Sequence, residues 1–280
     1  MADALRLAVS NIAWMPEQDD DVAKLLVAEG VSGVEIAPTK WRERPLNATA
    51  LDVAAYRRSW EDRGLRIVSM QSLLFGRPDL QLFTNETQRA AMVDYLRRTI
   101  DLGAALGARA LVFGSPKNRT RGSVTERDAT AIAIDTFREL GAHAGERSVA
   151  FCIEANPPEY GCDFITTTAE AVALCRAVEL PGLRVNADLG GMTLSHDDPG
   201  LCLADAAGAI GHFHASEPNL SELGASADHA RAAEGLAGIQ YPGWVSIEMR
   251  NVVPFASSAN VEAVGRAVRL AKAAYHAVIS

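Results

Sequence analysis

The sequence predicts an α/β fold, a single (β/α)8 TIM barrel spanning residues 1–280. Three observations carry that expectation. Short β-rich runs and longer helix-patterned segments alternate eight times, their connections are short, and no linker, low-complexity tract or composition break divides the chain. Strict alternation requires parallel strands, because each helix returns the chain to the same edge. An open eight-stranded sheet is the competing arrangement.

The expected strands are Leu5–Ser10, Gly33–Ile36, Leu65–Met70, Ala108–Phe113, Val149–Glu154, Leu183–Asp188, Ile210–His214 and Trp244–Glu248, each a brief apolar run closed by polar, Gly or Pro residues. The helical patterns between them cover Val22–Glu29 behind the acidic run Asp19-Asp20-Asp21, then Ala50–Arg63, stopped by Gly64. Next comes Glu86–Leu106, with the stripe Ala90, Val93, Leu96, Ile100 and Leu102 and a stop at Gly107. Thr125–Ala144 and Thr167–Val178 open on threonine caps. Ala204–Gly208 is short, Asp228–Leu236 opens on Asp228, and Val261–Val278 closes the chain.

Composition narrows the function classes. A net charge of −8 argues against nucleic acid as a main ligand, although a few local cations can still hold one phosphate. No segment reaches the roughly 18 uninterrupted apolar residues of a membrane span. Met1–Leu7 lacks the form of a signal peptide. Cys152, Cys162, Cys175 and Cys202 form no CxxC pair, so they read as reduced thiols in a cytoplasmic protein, Cys152 as plain core.

Side chains at the C-terminal ends of parallel barrel strands converge on the mouth, where barrel active sites form. Strands five to eight end in Glu154, Asp188, His214 and Glu248. Residues two positions earlier share their inward face: Cys152, Asn186, His212 and Ser246, all small or polar. Ile153, Ala187, Phe213 and Ile247 between them are apolar, as the face against the helices requires. Three carboxylates packed together repel unless a cation lies among them, and one nitrogen with three oxygen donors suits a hard-to-borderline divalent ion. Mn2+ is expected, with Mg2+, Co2+ or Zn2+ as alternatives, and the inward polar set would orient its ligands.

These residues, in the runs Cys152-Ile153-Glu154, Asn186-Ala187-Asp188, His212-Phe213-His214 with Glu217, and Ser246-Ile247-Glu248-Met249, resemble the xylose isomerase-like barrel superfamily, in its sugar-phosphate isomerase/epimerase branch. The resemblance implies that Glu154, Asp188, His214 and Glu248 bind the ion. It also implies that Glu154 and Glu248 move a proton next to a sugar carbonyl through an enediolate, giving an isomerase or epimerase of a small sugar, keto-sugar or sugar phosphate. A metal-dependent lyase or dehydratase acting on a keto-sugar or keto-glycoside is the alternative. Gly191 and Leu220 stand where keto-sugar 3-epimerases carry a histidine and an arginine. The apurinic endonuclease branch also needs the missing histidine, and DNA repair is set aside.

Substrate contacts are expected from Trp14, Lys117, Asn156, His212, Glu217 and Arg250, with Asn11, Glu35, Lys40, Trp41 and Gln71 as further pocket residues. The basic loop 114–121 reads equally as a contact for a substrate phosphate or carboxylate and as a solvated surface loop, and Tyr160 and Asp163 lie in a lid-like loop. His229 is read as a surface residue. The expected partner is a small-molecule sugar, with no nucleic acid or membrane, and a homo-oligomer is compatible with the sequence.

Overall fold

A computed structural model of the chain describes residues 5–280. The first four residues of the N-terminal run lie outside the described residues. The eight strands are β1 (Leu5–Ser10), β2 (Val31–Ile36), β3 (Arg66–Met70), β4 (Ala110–Phe113), β5 (Ala150–Glu154), β6 (Leu183–Asp188), β7 (Ile210–Ser216) and β8 (Val245–Glu248). They pair in parallel in chain order, and β8 closes onto β1 through Leu7↔Val245, Ala8↔Ser246 and Val9↔Ile247. The sheet is therefore the closed barrel, not the open alternative.

The helices are α1 (Asp19–Ala28), α2 (Pro38–Trp41), α3 (Ala50–Asp62), α4 (Glu86–Leu106), α5 (Glu126–Glu146), α6 (Thr168–Val178), α7 (Leu189–Leu194), α8 (Pro199–Asp205), α9 (His229–Gly238), α10 (Ser258–Ala274) and α11 (His276–Ile279). Local chemistry explains several ends. Thr49 and Thr167 form capping boxes with Asp52 and Glu170, and Asn85, Thr125 and Asp228 accept from the first-turn amides of α4, α5 and α9. Gly107, at φ 95°, takes the left-handed conformation that ends α4. Of the expected stripe on α4, Ala90 is exposed, and Met92 takes a place in the buried face instead.

Four departures from the expected pattern have identifiable causes. The helix expected over Ala204–Gly208 is instead α8, because Asp198 caps it and Pro199 occupies its first position. α7 starts directly on Asp188, which caps it while ending β6. The last helix breaks at Tyr275, fully buried, whose hydroxyl meets His229 Nδ1 at 2.8 Å. His229 is thus an interior residue, not a surface one. β7 runs two residues past His214, so Ser216 joins the inward row.

The interior between sheet and helices is apolar. Phe113, Phe137 and Phe151 pack ring to ring from β4, α5 and β5. All four cysteines are free, and Cys152 is buried in the barrel wall. No helix among the described residues is long and apolar enough to cross a membrane. Trp14, expected at the substrate, is fully buried instead, with its indole N–H donating to Asp19 Oδ1 at 2.7 Å. It staples the loop after β1 to α1. Trp14→Ala is therefore expected to lower unfolding free energy by about 3–5 kcal/mol in urea titrations, the loss typical of a deleted large core ring. A change below about 1 kcal/mol would place Trp14 outside the core.

Candidate metal centre

The C-terminal ends of β5 to β8 bring Glu154, Asp188, His214 and Glu248 together. His214 is fully buried, and its Nδ1 lies 3.1 Å from Glu248 Oε2, 3.5 Å from Glu154 Oε2 and 4.0 Å from Asp188 Oδ1. Ligand atoms of Asp188, His214 and Glu248 all lie within 4.8 Å of one another. Register explains the convergence: Asp188 pairs with His214 and Ser216 with Glu248, so the sheared barrel steps these side chains around one point.

Each group is held from behind. Glu154 accepts from Asn156 Nδ2 at 2.8 Å on one oxygen and from Asn186 Nδ2 at 2.7 Å on the other. Asp188 accepts from Ser216 Oγ and from the Gly191 amide at 2.7 Å. The Gly190 amide donates to Ser216 Oγ at 2.8 Å, and a Cβ at Gly190 would lie 2.7 Å from Glu217 O, so glycine is required there. Gly114 meets a similar demand: a Cβ would stand 2.6 Å from Glu154 Oε1. Its place directly after β4 was the only sequence signal.

Glu35 is the second anchor. Fully buried at the inward end of β2, it places one oxygen 2.8 Å from His212 Nε2 and 3.1 Å from His214 Nε2, and it also accepts from Ser69 and Gln71. With Nε2–H of His214 committed to Glu35, Nδ1 faces the three mouth carboxylates as the donor for an ion. His212, expected to touch substrate, is instead fixed beneath His214 by this contact. Gln71 links Glu35 to Ser10, and Asn11 accepts from the Ala37 amide, so both serve the architecture of the first strands.

Electrostatics show what the cluster lacks. Burial and the neighbouring charges of Glu154 and Glu248 push Asp188 up to about 7. Burial works against charge on His214, but Glu248 and Glu35 overcome it and hold the imidazole well above its usual range. Burial also opposes charge on Glu154, and the contacts with His214, Asn156 and Asn186 hold it below the usual carboxylate range. A proton on His214 thus does, weakly, what a dication does fully. Asn156 Oδ1, Asn186 Oδ1 and Ser246 Oγ around the site are buried with no hydrogen-bond partner. Metal–donor bonds of about 2.0–2.2 Å put neighbouring donors roughly 3 Å apart, so the residues fit a divalent ion.

The remaining expected contacts separate. Asn156, 4% exposed, spends its amide N–H groups on Glu154 and the Ala155 carbonyl and keeps an unpaired Oδ1. Glu217 is corrected from a substrate contact to a loop organiser. Its carboxylate accepts from the amides of Gly224, Ala225, Ser226 and Ala227, from Ser226 Oγ and from His229, which leaves no oxygen for a sugar. Arg119 in the basic loop is fully buried, with Nη2 donating 2.7 Å to the Glu154 carbonyl, and Arg121 bonds the Val124 carbonyl. That loop is therefore a brace, and Lys117 alone of its cations stands in solvent. Arg250 is exposed two residues past Glu248, with its backbone amide on the Leu220 carbonyl. Trp41 stacks on Tyr56 with ring centroids 4.5 Å apart, and Lys40 donates to the Trp14 carbonyl. Tyr160 spans the mouth, accepting from the Asn219 amide at 2.9 Å, while Asp163 accepts from the amides of Arg121 and Gly122.

A sequence profile described as xylose isomerase-like TIM barrel matches residues 23–273. The chain belongs to that family. Solved members of similar fold include a D-psicose 3-epimerase determined in the presence of D-fructose, 19% identical, with TM-score 0.78 over 96% of this chain and 98% of that one. The D-psicose 3-epimerase of Clostridium cellulolyticum H10 with D-tagatose is 15% identical, with TM-score 0.80 over 96% and 98%. The 3-keto-D-glucoside 4-epimerase YcjR of E. coli is 19% identical, with TM-score 0.77 over 95% and 99%. No curated protein matches the chain. At these identities the likeness establishes the family's fold.

The raised positions of Asp188 and His214 set a pH dependence. Both favour the protonated form in the fold: the contribution of Asp188 to the stability of the metal-free chain is lost as pH rises from its ordinary 3.8 to about 7, and that of His214 is lost only above its ordinary 6.5. Ion binding must displace those protons and strengthens over the same interval. The rise in Tm on adding saturating Mn2+ is expected to be larger near pH 8 than near pH 5.5 by scanning calorimetry. An equal or smaller rise near pH 8 would contradict this reading.

Proposed function

We propose that the chain is a divalent-metal-dependent isomerase or epimerase acting on a small sugar or keto-sugar by proton transfer. The observation that carries the reading is the meeting of Glu154 and Glu248 over the single nitrogen of His214. The two carboxylates arrive from β5 and β8 with two strands between them, so they flank whatever lies above His214. The solved proteins of similar fold that are epimerases of D-psicose, L-ribulose and a 3-keto-D-glucoside support the same class.

Glu154, Asp188, His214 and Glu248 would hold the ion, with Mn2+ the expected species and Mg2+, Co2+ or Zn2+ the alternatives. When bound, the ion supplies Lewis-acid polarisation of a substrate carbonyl and hydroxyl. The protein's own groups do the rest. Glu248 has no partner but His214 among the described residues, so its second oxygen can take a proton from the carbon next to the carbonyl. Glu154, its charge held by two asparagine amides, stands on the other flank to deliver or receive the proton. Return of the proton to the opposite face epimerises, and return to the neighbouring carbon isomerises. Asn156 Oδ1 is free to accept from a sugar hydroxyl, and Lys117 and Arg250 are the exposed cations that a substrate's outer end could meet.

Incubation of Mn2+-loaded protein with a panel of keto-sugars in D2O tests the proposal. Deuterium is expected at the carbon next to the carbonyl, without release of water or aglycone. Glu154→Gln is expected to lower exchange by about 10²–10⁴-fold while leaving Tm near that of the parent. Release of water or aglycone would favour the lyase class, and undiminished exchange in Glu154→Gln would overturn the assigned role.

A further inference from the structure

A second concave feature lies on the flank of the same end of the barrel. The segments following β2 and β3, together with the outer face of α4, enclose a cleft of about 790 Å³. Lys40, Arg44, Arg77 and Arg98 line it against one acidic residue, Glu43, in a protein whose net charge is −8. The positive groups are thus segregated here against the prevailing sign.

Two of these cations are uncommitted. Arg44 is exposed and makes no ion pair among the described residues, and Arg98 makes a single long contact, 3.4 Å, to the Leu46 carbonyl. Lys40 gives its ammonium to the Trp14 carbonyl and keeps two donors. Arg77 is neutralised by a two-pronged pair with Asp79, but its guanidinium lies 4.5 Å from the Tyr95 ring centroid and forms a flat wall.

The rim adds an independent feature. Phe75 is 69% exposed, in a turn with Ser72 at φ 56° and Gly76 at φ 75°. Its exposed ring lines the same cleft as the guanidinium groups of Arg44 and Arg98. Exposed aromatic surface next to free fork-shaped donors is the complement of an anionic group carried on a flat apolar body.

We propose that this cleft is an anion-binding site, separate from the metal centre, for a phosphate monoester or carboxylate borne on a planar or apolar body. Arg44 and Arg98 take the anion and Phe75 covers the body. The site does not depend on the isomerase reading, since none of its residues is a metal ligand.

Calorimetric titration of the full chain with phenyl phosphate, after EDTA treatment and dialysis into chelator-free buffer so that no ion at the barrel centre can hold the phosphate, tests it. Phenyl phosphate is expected to bind saturably and about tenfold more tightly than inorganic phosphate. Arg44→Glu with Arg98→Glu should weaken it at least about tenfold, both positions being exposed and tolerant of change. Phe75→Ala should bring phenyl phosphate down to the level of inorganic phosphate, and Asp188→Asn should leave binding unchanged. Benzoate in place of phenyl phosphate separates the carboxylate source from the phosphate source. No saturable heat, indifference to the double arginine change, loss of binding in Asp188→Asn, or a dimer in light scattering that the double arginine change converts to monomer would each overturn the proposal.

Discussion

The structure is organised around the mutual repulsion of three carboxylates at the mouth of the barrel. Glu154, Asp188 and Glu248 each reach within 4.0 Å of one imidazole nitrogen, in surroundings from which water is largely removed. In such a place like charges are not screened, so the cluster must acquire positive charge or take up protons. With no cation among them, burial and the neighbouring carboxylates push Asp188 and His214 toward their protonated forms. A dication resolves the same conflict and, unlike a proton, leaves the carboxylates free to act as bases. The network around them, with its asparagines, serine, paired histidines and buried Glu35, makes sense as scaffolding for that ion.

The scaffold also explains why the barrel is asymmetric. Strands β5 to β8 carry the charged tips, while β1 to β3 supply Ser10, Glu35, Ser69 and Gln71, a hydrogen-bonded chain that ends on the imidazoles. One half presents ligands and the other fixes their orientation. The loops follow the same division of labour. Arg119 braces the backbone of Glu154, Glu217 gathers residues 224–227, and Tyr160 ties the loop after β5 to the loop after β7.

Much of this was legible in the sequence because period-two alternation is a local signal. The residues at the strand ends and the polar positions two steps before them follow directly from it, and the closed barrel follows from eight repeats. What escaped depends on long-range packing. Trp14, Glu217 and His229 look like surface chemistry in the sequence, yet each is buried by partners distant along the chain or by the loop's own backbone. Glu35 was placed at the pocket, but its hold on two histidines 177 and 179 positions away has no local signature. The basic loop reads as an anion site until Arg119 is seen fully buried, with Nη2 on carbonyl oxygens and Nε and Nη1 without a hydrogen-bond partner. The short helices after β2 and β6 are set by Pro38 and by Asp188 acting as a cap, which periodicity does not detect.

Electron paramagnetic resonance of the Mn2+-loaded chain tests the central claim most directly. The account predicts one ion per chain with hyperfine coupling to a single imidazole nitrogen, lost in His214→Gln, because His212 is committed to Glu35. Coupling to two imidazole rings, coupling that persists in His214→Gln, or no stoichiometric ion would contradict it.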